Sequence, residues 1–537
     1  MTAVSAPAEE AGLPAPPPAT VSPARRTPAM LWVASTLVAV VFAAPLGYLV
    51  WKNLGNAGDY LDILSDEGAF APARRSLLLA STVASTSAVL GTTLAWLLIR
   101  SDLPGRRTFS VLAALPLVVP SFVGALALLA AFAPGGLFDI GIGRPKGFTG
   151  AFVVLTLFTY PYVYLLAAAR FASLPATLEE AARTLGRSPA SVFRTVVLPQ
   201  SRGAIAAGTL LVFLYTLSDF GAVSLLRYDT LTTRIFSSRL LDQPASLAMS
   251  LLLAVIALVV VTAERRVQRR RIHVEAVSAG RASARASLGL WKIPALLFVV
   301  SVVAVALVAP VVVLGQWVLR GLLDHELALV DVFQPAWNTV WISVVAGAVA
   351  TSVVLPIAYL TTRYRSRFAG TYDVMVVSGF ALPGLVIALA IVFWVVNAPI
   401  LNSLYLSFPL LVIAYVVNFG SQALRAGQVA VSGSPTGSTT RRRCWAPDVL
   451  AESCRSTCPS CDRGLAAGTG LVVLSTMKEL PATLLLAPIG FQTLATRIFD
   501  RTEDLFYAEA GLAALVLVAL SGLLTWLLTI RRMDTLS

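Results

Sequence analysis

The feature that most constrains this chain is a series of apolar runs, each long enough to cross a lipid bilayer. A bilayer core of about 30 Å requires about 20 apolar residues per helix. We therefore predict an all-α integral membrane protein with twelve transmembrane helices. The runs lie at 31–51, 76–99, 109–132, 149–169, 204–226, 245–263, 293–319, 338–361, 372–397, 405–424, 465–488 and 505–530.

The overall composition excludes other classes of protein. Hydrophobic residues make up 57% of the 537 residues and charged residues only 13%, whereas a soluble domain carries about 25% charged residues. So few polar groups cannot cover so much apolar surface in water. A soluble enzyme, a disordered protein and a collagen-like fibre are therefore excluded.

The amino-terminal segment differs from the rest of the chain. Residues 1–29 hold seven prolines and no periodic pattern, so we predict a disordered cytoplasmic tail. Arg25 and Arg26 precede the first apolar run, which is longer than the 7–15 residues typical of a signal-peptide core. We expect an uncleaved first helix.

The positions of Lys and Arg predict the orientation, because cytoplasmic loops are enriched in them. With the amino terminus inside, the inner segments carry 23 of these residues and the outer loops 11, leaving aside residues 425–463, which are anomalous. We predict a multi-pass membrane protein with both termini in the cytoplasm.

The chain also contains an internal repeat. LVFLYTLSDFGAVSLL at 211–226 returns as LVVLSTMKELPATLLL at 471–486, and TLTTRIF at 230–236 returns as TLATRIF at 493–499. The offsets are 260 and 263 residues. An even number of helices per half makes the repeat parallel. We predict two six-helix halves, 30–263 and 293–537, joined by a basic cytoplasmic linker at 264–292.

Two prolines occupy equivalent positions in this repeat. PSFVGALA from Pro120 returns as PGLVIALA from Pro383, at the offset of 263. Both lie inside predicted spans. They would either kink helices that move or be tolerated by ordinary packing.

Residues 176–203 form a loop that is too polar to cross the membrane. Its regular capping pattern indicates helical structure. Thr177 and Glu180 fit a capping box, and Glu179 lies in the first turn, where the helix dipole favours negative charge. Gly186 fits a left-handed helix end. We predict a short helix that ends there.

A second short helix follows in the same loop. Ser188 and Pro189 fit an N-cap and a first-turn proline, and Pro199 is expected to end the helix. Ala181 and Ala182 keep one surface of the first helix thin. Such a helical pair would either enter a groove of another protein or pack on its own bundle.

This loop resembles the signature of the permeases of binding-protein-dependent ABC transporters. The resemblance implies that the loop, with Glu179, couples the permease to two copies of an ATP-binding subunit in the cytoplasm. It also implies an extracytoplasmic substrate-binding protein as a partner. The matching residues are Glu180, Ala181, Ala182, Gly186, Val196, Leu198 and Pro199.

Two further segments are similar to the fused, two-half permeases of ferric-iron uptake systems. They are SDFGAVSLLRYDTLTTRIF at 218–236 and STMKELPATLLLAPIGFQTLATRIF at 475–499. The resemblance implies ferric iron as the substrate, with thiamine and phosphonate as alternatives because their permeases are similar.

The second half lacks a matching loop where the repeat requires one. Ser438–Arg463 shows no helical periodicity and holds all four cysteines. Cys458 and Cys461 have CxxC spacing, but Cys444 and Cys454 do not form the second pair that a zinc site normally needs. We expect neither a metal site nor a redox site.

A reading-frame hypothesis explains the segment better. The 37 Arg against 4 Lys indicate GC-rich coding DNA. Back-translation with GC-rich codons, shifted one nucleotide earlier, gives LDDAAPVLGAGRARRVVPVDLPLVRPG. This text places an acidic residue at 440 and Leu-Pro at 458–459, as an offset of 260 from Glu180 and Pro199 requires. We predict compensating frameshifts or a sequencing error.

Three charged residues lie in apolar surroundings at equivalent repeat positions. They are Asp219 and the pair Lys478 and Glu479. An unpaired charge in a bilayer costs at least about 2.5–3.5 kcal/mol, so such groups face a cavity or a partner. They would either line the translocation path or form interfacial or structural contacts between the halves.

The sequence gives no sign that the chain drives transport itself. It has no G-x-x-x-x-G-K-[ST] string for binding ATP phosphates. We expect no enzymatic activity, no cofactor and no nucleic-acid partner, and we read Asp324, His325 and Glu326 as a solvated outer loop. The alternative class, an ion-coupled secondary transporter, would lack a docking loop.

Overall fold

A computed structural model describes the residues from 29 onward with several gaps, and within them the chain is helical. The predicted tail, most of the linker and most of the anomalous segment, including Cys444, Cys454 and Cys458, lie outside the described residues. These residues are 29–55, 67–139, 145–174, 176–269, 286–325, 327, 329–364, 369–432 and 459–533.

The first half contains long helices interrupted at defined points. A π-helical turn at Trp96–Arg100 extends α2. The helices are α1 Ala29–Leu54, α2 Glu67–Ala95, α3 Arg106–Leu112, α4 Ser121–Ala131, α5 Gly147–Ser173, α6 Ala176–Thr184, α7 Pro189–Val192, α8 Leu198–Ser218, α9 Gly221–Leu225, α10 Leu231–Ser238 and α11 Gln243–Arg269.

The second half follows the same order. A π-helical turn at Ala304–Val308 joins its first two helices into one rod. The helices are α12 Lys292–Val303, α13 Ala309–Leu323, α14 Phe333–Arg363, α15 Ala369–Ala381, α16 Gly384–Val396, α17 Phe408–Ser432, α18 Pro459–Met477, α19 Pro481–Leu486, α20 Leu494–Glu503 and α21 Tyr507–Met533.

Nine helical stretches of the described residues are long and apolar enough to cross a membrane. A tenth results if Arg106–Val118 and Ser121–Ala131, which meet at 94°, count as one span. The predicted runs 372–397 and 465–488 are also broken in two, into α15 with α16 and α18 with α19. The count of twelve therefore stays a prediction.

Proline explains two of these breaks. Pro120 and Pro383 immediately precede α4 and α16 and have extended backbone, with ψ 146° and 136°. Since proline has no N–H to donate into a preceding turn, a new helix starts after it. The two prolines thus break their spans at equivalent places in the repeat.

The first helix of each half packs on the other half. Helix α1 contacts α14, α15 and α16: Thr36 Oγ1 lies 2.8 Å from Tyr372 Oη, and the Trp32 ring lies 5.7 Å from the Tyr372 ring. In the opposite direction, Trp317 Nε1 of α13 donates to the Ala130 carbonyl at 3.0 Å. The halves therefore exchange their first helices.

One buried apolar cluster runs through both halves, from Ala39 in α1 to Leu517 in α21. The outer surface of the bundle is apolar as well. In α1, only 22% of an apolar 18-residue stretch is buried within the protein. Exposed Val33, Leu37 and Val40 lie on this surface, as a lipid-facing helix requires.

The two ends of the predicted linker 264–292 lie within the described residues. Helix α11 continues to Arg269, so the first residues of 264–292 extend a helix. Residues 286–292 return to the bundle beside Ser101, at the end that bears loop 176–203. We call this end the inner face and the opposite end the outer face.

Candidate functional site: an inner loop and a central junction

Loop 176–203 contains the two predicted short helices, α6 and α7. Helix α6 ends at Thr184, and Gly186 takes φ +77°, the left-handed conformation predicted for it. The Arg187 amide donates to the Ala182 carbonyl at 3.2 Å, which is the closing bond of a glycine-terminated helix. The bend between the helices is therefore built into the backbone.

The second helix starts as predicted. The Ser191 amide donates to Ser188 Oγ at 3.4 Å, and the Val192 amide donates to the Ser188 carbonyl at 2.9 Å. Ser188 is thus the N-cap and Pro189 the first helical residue.

Two local predictions for this loop are wrong. Helix α6 begins at Ala176, so Thr177 lies in the first turn and is not the cap. Pro199 does not end a helix, because a π-helical turn at Phe193–Val197 runs directly into α8, which begins at Leu198. Proline in a first turn removes a donor that has no partner within the helix.

The first helix of the loop has a buried and an exposed face. Glu179 and Ala182 are buried, at 5% and 8% exposure. Glu180 and Ala181 are exposed, and Leu185 is 81% exposed. Sequence reasoning left packing and docking as alternatives; the structure shows one face packed and another accessible.

A buried ion pair holds the loop to the bundle. Arg100 Nη2, at the end of α2, lies 2.8 Å from Glu179 Oε1, and the two side chains are 9% and 7% exposed. Removing one partner of such a pair costs about 3–5 kcal/mol because it strands a buried charge. Arg100 was not a predicted site residue, since no local motif marks it.

The second region of interest surrounds Asp219, directly after the end of α8, and Lys478 and Glu479, directly after the end of α18. We call this region the central junction. In the first half, Asp219 Oδ1 accepts hydrogen bonds from the amides of Ala222 and Val223 at 3.0 and 3.3 Å. Its Oδ2 accepts from Ser121 Oγ at 2.5 Å, and Thr232 Oγ1 donates to the Asp219 carbonyl at 2.7 Å. The carboxylate therefore caps α9.

The second half repeats this arrangement with side chains of different sizes. Glu479 Oε1 accepts from the Ala482 amide at 3.2 Å and so caps α19. The repeat position of Ser121 is Gly384, where an added Cβ would lie 3.1 Å from Glu479 Oε1. A longer carboxylate paired with glycine thus replaces a shorter one paired with serine.

The halves meet at this junction. Lys478 Nζ donates to the Leu117 carbonyl of the first half at 3.0 Å. The Phe220 and Phe499 rings lie 5.8 Å apart. A Cβ on Gly221 would lie 3.0 Å from Leu480 Cδ2 of the other half. The central junction is therefore a tightly packed inter-half contact.

The structure brings Asp219, Lys478 and Glu479 to this one region, away from loop 176–203. The sequence missed Ser121, Gly384 and Leu117. The first two were discoverable, because the offset of 263 that aligns the prolines also aligns them.

No preformed metal cage accompanies these carboxylates. In the described ranges, no group of three or more His, Cys, Asp or Glu side chains is placed to hold a metal ion. Asp324 and His325 lie in an exposed turn after α13, and Glu326 lies outside the described residues.

Comparison with known proteins decides the family. Residues 87–273 match the family described as the inner membrane component of binding-protein-dependent transport systems. Over 462 residues, the chain is 31% identical to the Fe(3+)-transport system permease protein of Haemophilus influenzae, which covers 84% of this chain and 88% of that protein. The chain belongs to this family.

Shorter permeases of the family are also similar. The sulfate transport system permease protein of Salmonella typhimurium is 31% identical over 194 residues, which is 35% of this chain and 69% of that protein. The molybdenum transport system permease protein of Mycobacterium tuberculosis is 35% identical over 201 residues, 35% of this chain and 76% of that protein.

Family membership makes this chain a permease of an ABC importer and a multi-pass inner membrane protein. It decides against the ion-coupled secondary transporter. The match at 87–273 contains the whole of loop 176–203, including Glu180 and Pro199.

Proposed function

We propose that the permease imports ferric iron, received from an extracytoplasmic binding protein and driven by two separate ATP-binding subunits. The chain itself hydrolyses no ATP and holds no cofactor. The observation that carries the coupling role is the pair of faces on helix α6, with Glu179 buried and Glu180 and Ala181 exposed, followed directly by the exposed Leu185.

The substrate rests on similarity. The relative that aligns along most of both chains is an Fe(3+) permease, and the sulfate and molybdenum permeases align over about a third of this chain, at 35% each. Alignment through both halves supports ferric iron over thiamine, phosphonate and the oxyanions.

The orientation follows from the loop. The ATP-binding subunits are cytoplasmic, so the inner face is the cytoplasmic face. With the inner face in the cytoplasm, we infer that both termini lie in the cytoplasm as well. The excess of Lys and Arg in the inner segments supports the same orientation.

In this mechanism, the halves move as units. Closure of the ATP-binding subunits moves loop 176–203, and the buried Arg100–Glu179 pair passes that movement to α2. The central junction, where both α8 and α18 are broken, then opens or closes the path between the halves. Asp219 and Glu479 position the short helices α9 and α19 at that point.

Glu180→Lys tests the coupling role. The substitution reverses the charge on the exposed face without touching the buried pair, so an ATP-binding subunit should no longer co-purify with the permease. Asp504→Lys, an equally exposed carboxylate on the outer face, is the matched control and should retain the subunit. Full retention by Glu180→Lys would count against docking at this face.

Uptake assays test the substrate. A strain lacking the gene should lose ATP-dependent uptake of radiolabelled ferric iron and regain it with the gene supplied on a plasmid. Thiamine, phosphonate, sulfate and molybdate uptake are measured in parallel. Iron uptake that does not depend on the gene would exclude ferric iron and leave the permease assignment intact.

A further inference from the structure

The inner face holds a second set of contacts, which the proposed function does not use. The end of the linker lies beside the end of α2: the Ala286 amide donates to the Arg100 carbonyl at 2.9 Å, and the Asp102 amide donates to the Ala286 carbonyl at 3.2 Å. These bonds form a short parallel bridge between Ser101 and Ala286.

The Asp102 carboxylate completes the contact. Its Oδ1 accepts a hydrogen bond from the Leu288 amide at 3.0 Å, and its Oδ2 lies 2.8 Å from Lys292 Nζ. Lys292 is the first residue of α12. We call the contacts of residues 286–292 with residues 100–102 the linker clamp.

The linker clamp adjoins the docking loop at Arg100. The Arg100 side chain pairs with Glu179 in loop 176–203, while the Arg100 carbonyl accepts the Ala286 amide. A continuous line of contacts therefore runs from Glu179 through Arg100 and Asp102 to Lys292.

Beyond Lys292, the line reaches the second half. The rod formed by α12 and α13 packs on the first half near its start, where Val299 and Ala306 lie in a buried cluster with Leu94 and Tyr164. Farther along, α13 packs on α21 of its own half. A displacement at Lys292 is thus applied to an element that belongs to the second half.

We propose that the linker clamp transmits movement of loop 176–203 to the second half, with Asp102 and Lys292 as its positioning residues. This inference rests on the proposed coupling role of the loop. It gives the second half a route to the ATP-binding subunits through the first half's loop.

The charges support a positioning role. Lys292, and then the Leu288 amide, hold the pKa of Asp102 below its usual value. The clamp is therefore complete above the ordinary carboxyl pKa of about 3.9 and is lost only when the pH falls through the lowered value. Ion pairs between exposed side chains contribute little to stability, so variants of this pair should still fold.

The test measures movement of the second half directly and needs no iron. The full chain, with its four cysteines replaced by serine, receives spin labels at Leu241→Cys and Ile489→Cys. These positions lie on the outer face, one in each half, and are 94% and 92% exposed. The complex with its ATP-binding subunits is placed in lipid nanodiscs, and the label distance is measured with and without ATP plus vanadate.

We expect ATP plus vanadate to shift the distance in the otherwise unchanged chain. Asp102→Ala and Lys292→Ala should each reduce that shift at least about twofold, within the range of coupling changes known for such positions. Lys292→Arg, which keeps a cation opposite Asp102 and leaves the hydrogen bond from the Leu288 amide intact, should retain it. Arg75→Ala is the matched control, because the Arg75–Asp229 pair is similarly exposed, at 2.9 Å, and should leave the shift unchanged.

The outcomes separate the two proposals. A full shift in Asp102→Ala and Lys292→Ala, with the ATP-binding subunits still bound, overturns the clamp and leaves the proposed function standing. Loss of the shift in Lys292→Arg, with the subunits still bound, also contradicts it. Absence of any shift in the unchanged chain overturns the coupling role of the loop, and the clamp falls with it.

Discussion

At the scale of single residues, the repeat is conserved in geometry more than in identity. In each half, a carboxylate caps a short helix that follows a break in a span. The first half uses Asp219 beside Ser121, and the second uses Glu479 beside Gly384. Around Gly384, the Glu479 carboxylate and the Asn418 amide lie within 3.1 Å of where a Cβ would project. The two pairs should therefore be exchangeable only as pairs.

Exchange of the second pair tests this. Gly384→Ser alone should lower the stability by about 1–3 kcal/mol through overpacking, because its Cβ would lie 2.7 Å from Asn418 Nδ2 and 3.1 Å from Glu479 Oε1. Adding Glu479→Asp should recover part of the loss, because it relieves the contact with the carboxylate and leaves the contact with Asn418. Thermal unfolding of the purified variants measures both, and strictly additive effects would contradict the compensation.

The buried pair at the loop gives a second prediction. Glu179→Ala leaves Arg100 charged and buried, so it should destabilise the protein by about 3–5 kcal/mol. Glu179→Leu with Arg100→Met should recover stability, because apolar side chains of similar volume replace a buried pair at little cost. Denaturation in detergent measures the difference, and an equally unstable double variant would contradict the pairing.

At the scale of elements, the sequence predicts the helix ends that local residues determine and misses those that depend on a π-helical turn or a distant contact. The sequence predicted the two-helix loop correctly because Gly186, Ser188 and Pro189 act locally, through backbone conformation and capping. It placed Pro199 wrongly because a π-helical turn, which no local pattern signals, lets α8 begin there. It missed Arg100 because that contact joins residues 79 positions apart in the sequence.

Glycine substitutions test the role of the bend between α6 and α7. Gly186→Ala should cost about 1–2 kcal/mol, since L-residues are strained at positive φ and nothing lies within 4 Å of the added Cβ to cause a clash. Gly203→Ala is the control: it is equally open but helical, and should stabilise α8 by about 1 kcal/mol. Binding of the ATP-binding subunit should weaken only for Gly186→Ala.

At the scale of the whole molecule, the question is whether there are one or two docking loops. Helix α17 ends at Ser432 and α18 begins at Pro459, which correspond at offsets of 259 and 260 to the end of α5 at Ser173 and to Pro199. The helices around the anomalous segment are therefore in register with the repeat. The segment between them, 433–458, lies outside the described residues.

Re-sequencing the DNA for residues 425–470, with a peptide mass across the segment, decides the frame. We expect the shifted text, with acidic residues at 439 and 440, two docking loops and no cysteine. Arg363 would then be the counterpart of Arg100, at the offset of 263, and position 439 that of Glu179. Peptides containing Cys444 and Cys454 would instead confirm the printed frame and a single loop.

The exchange of first helices has a consequence for biogenesis. Helix α1 leaves the ribosome first, yet the surfaces it covers on α14, α15 and α16 are made only after more than half of the chain has been translated. The rod of α12 and α13, by contrast, finds its partner surface already inserted. Neither half completes its packing without the other. Because both halves belong to one polypeptide, they are synthesised together in a one-to-one ratio. In truncated products, α1 would lack its partner surfaces and be exposed to quality-control proteases of the membrane.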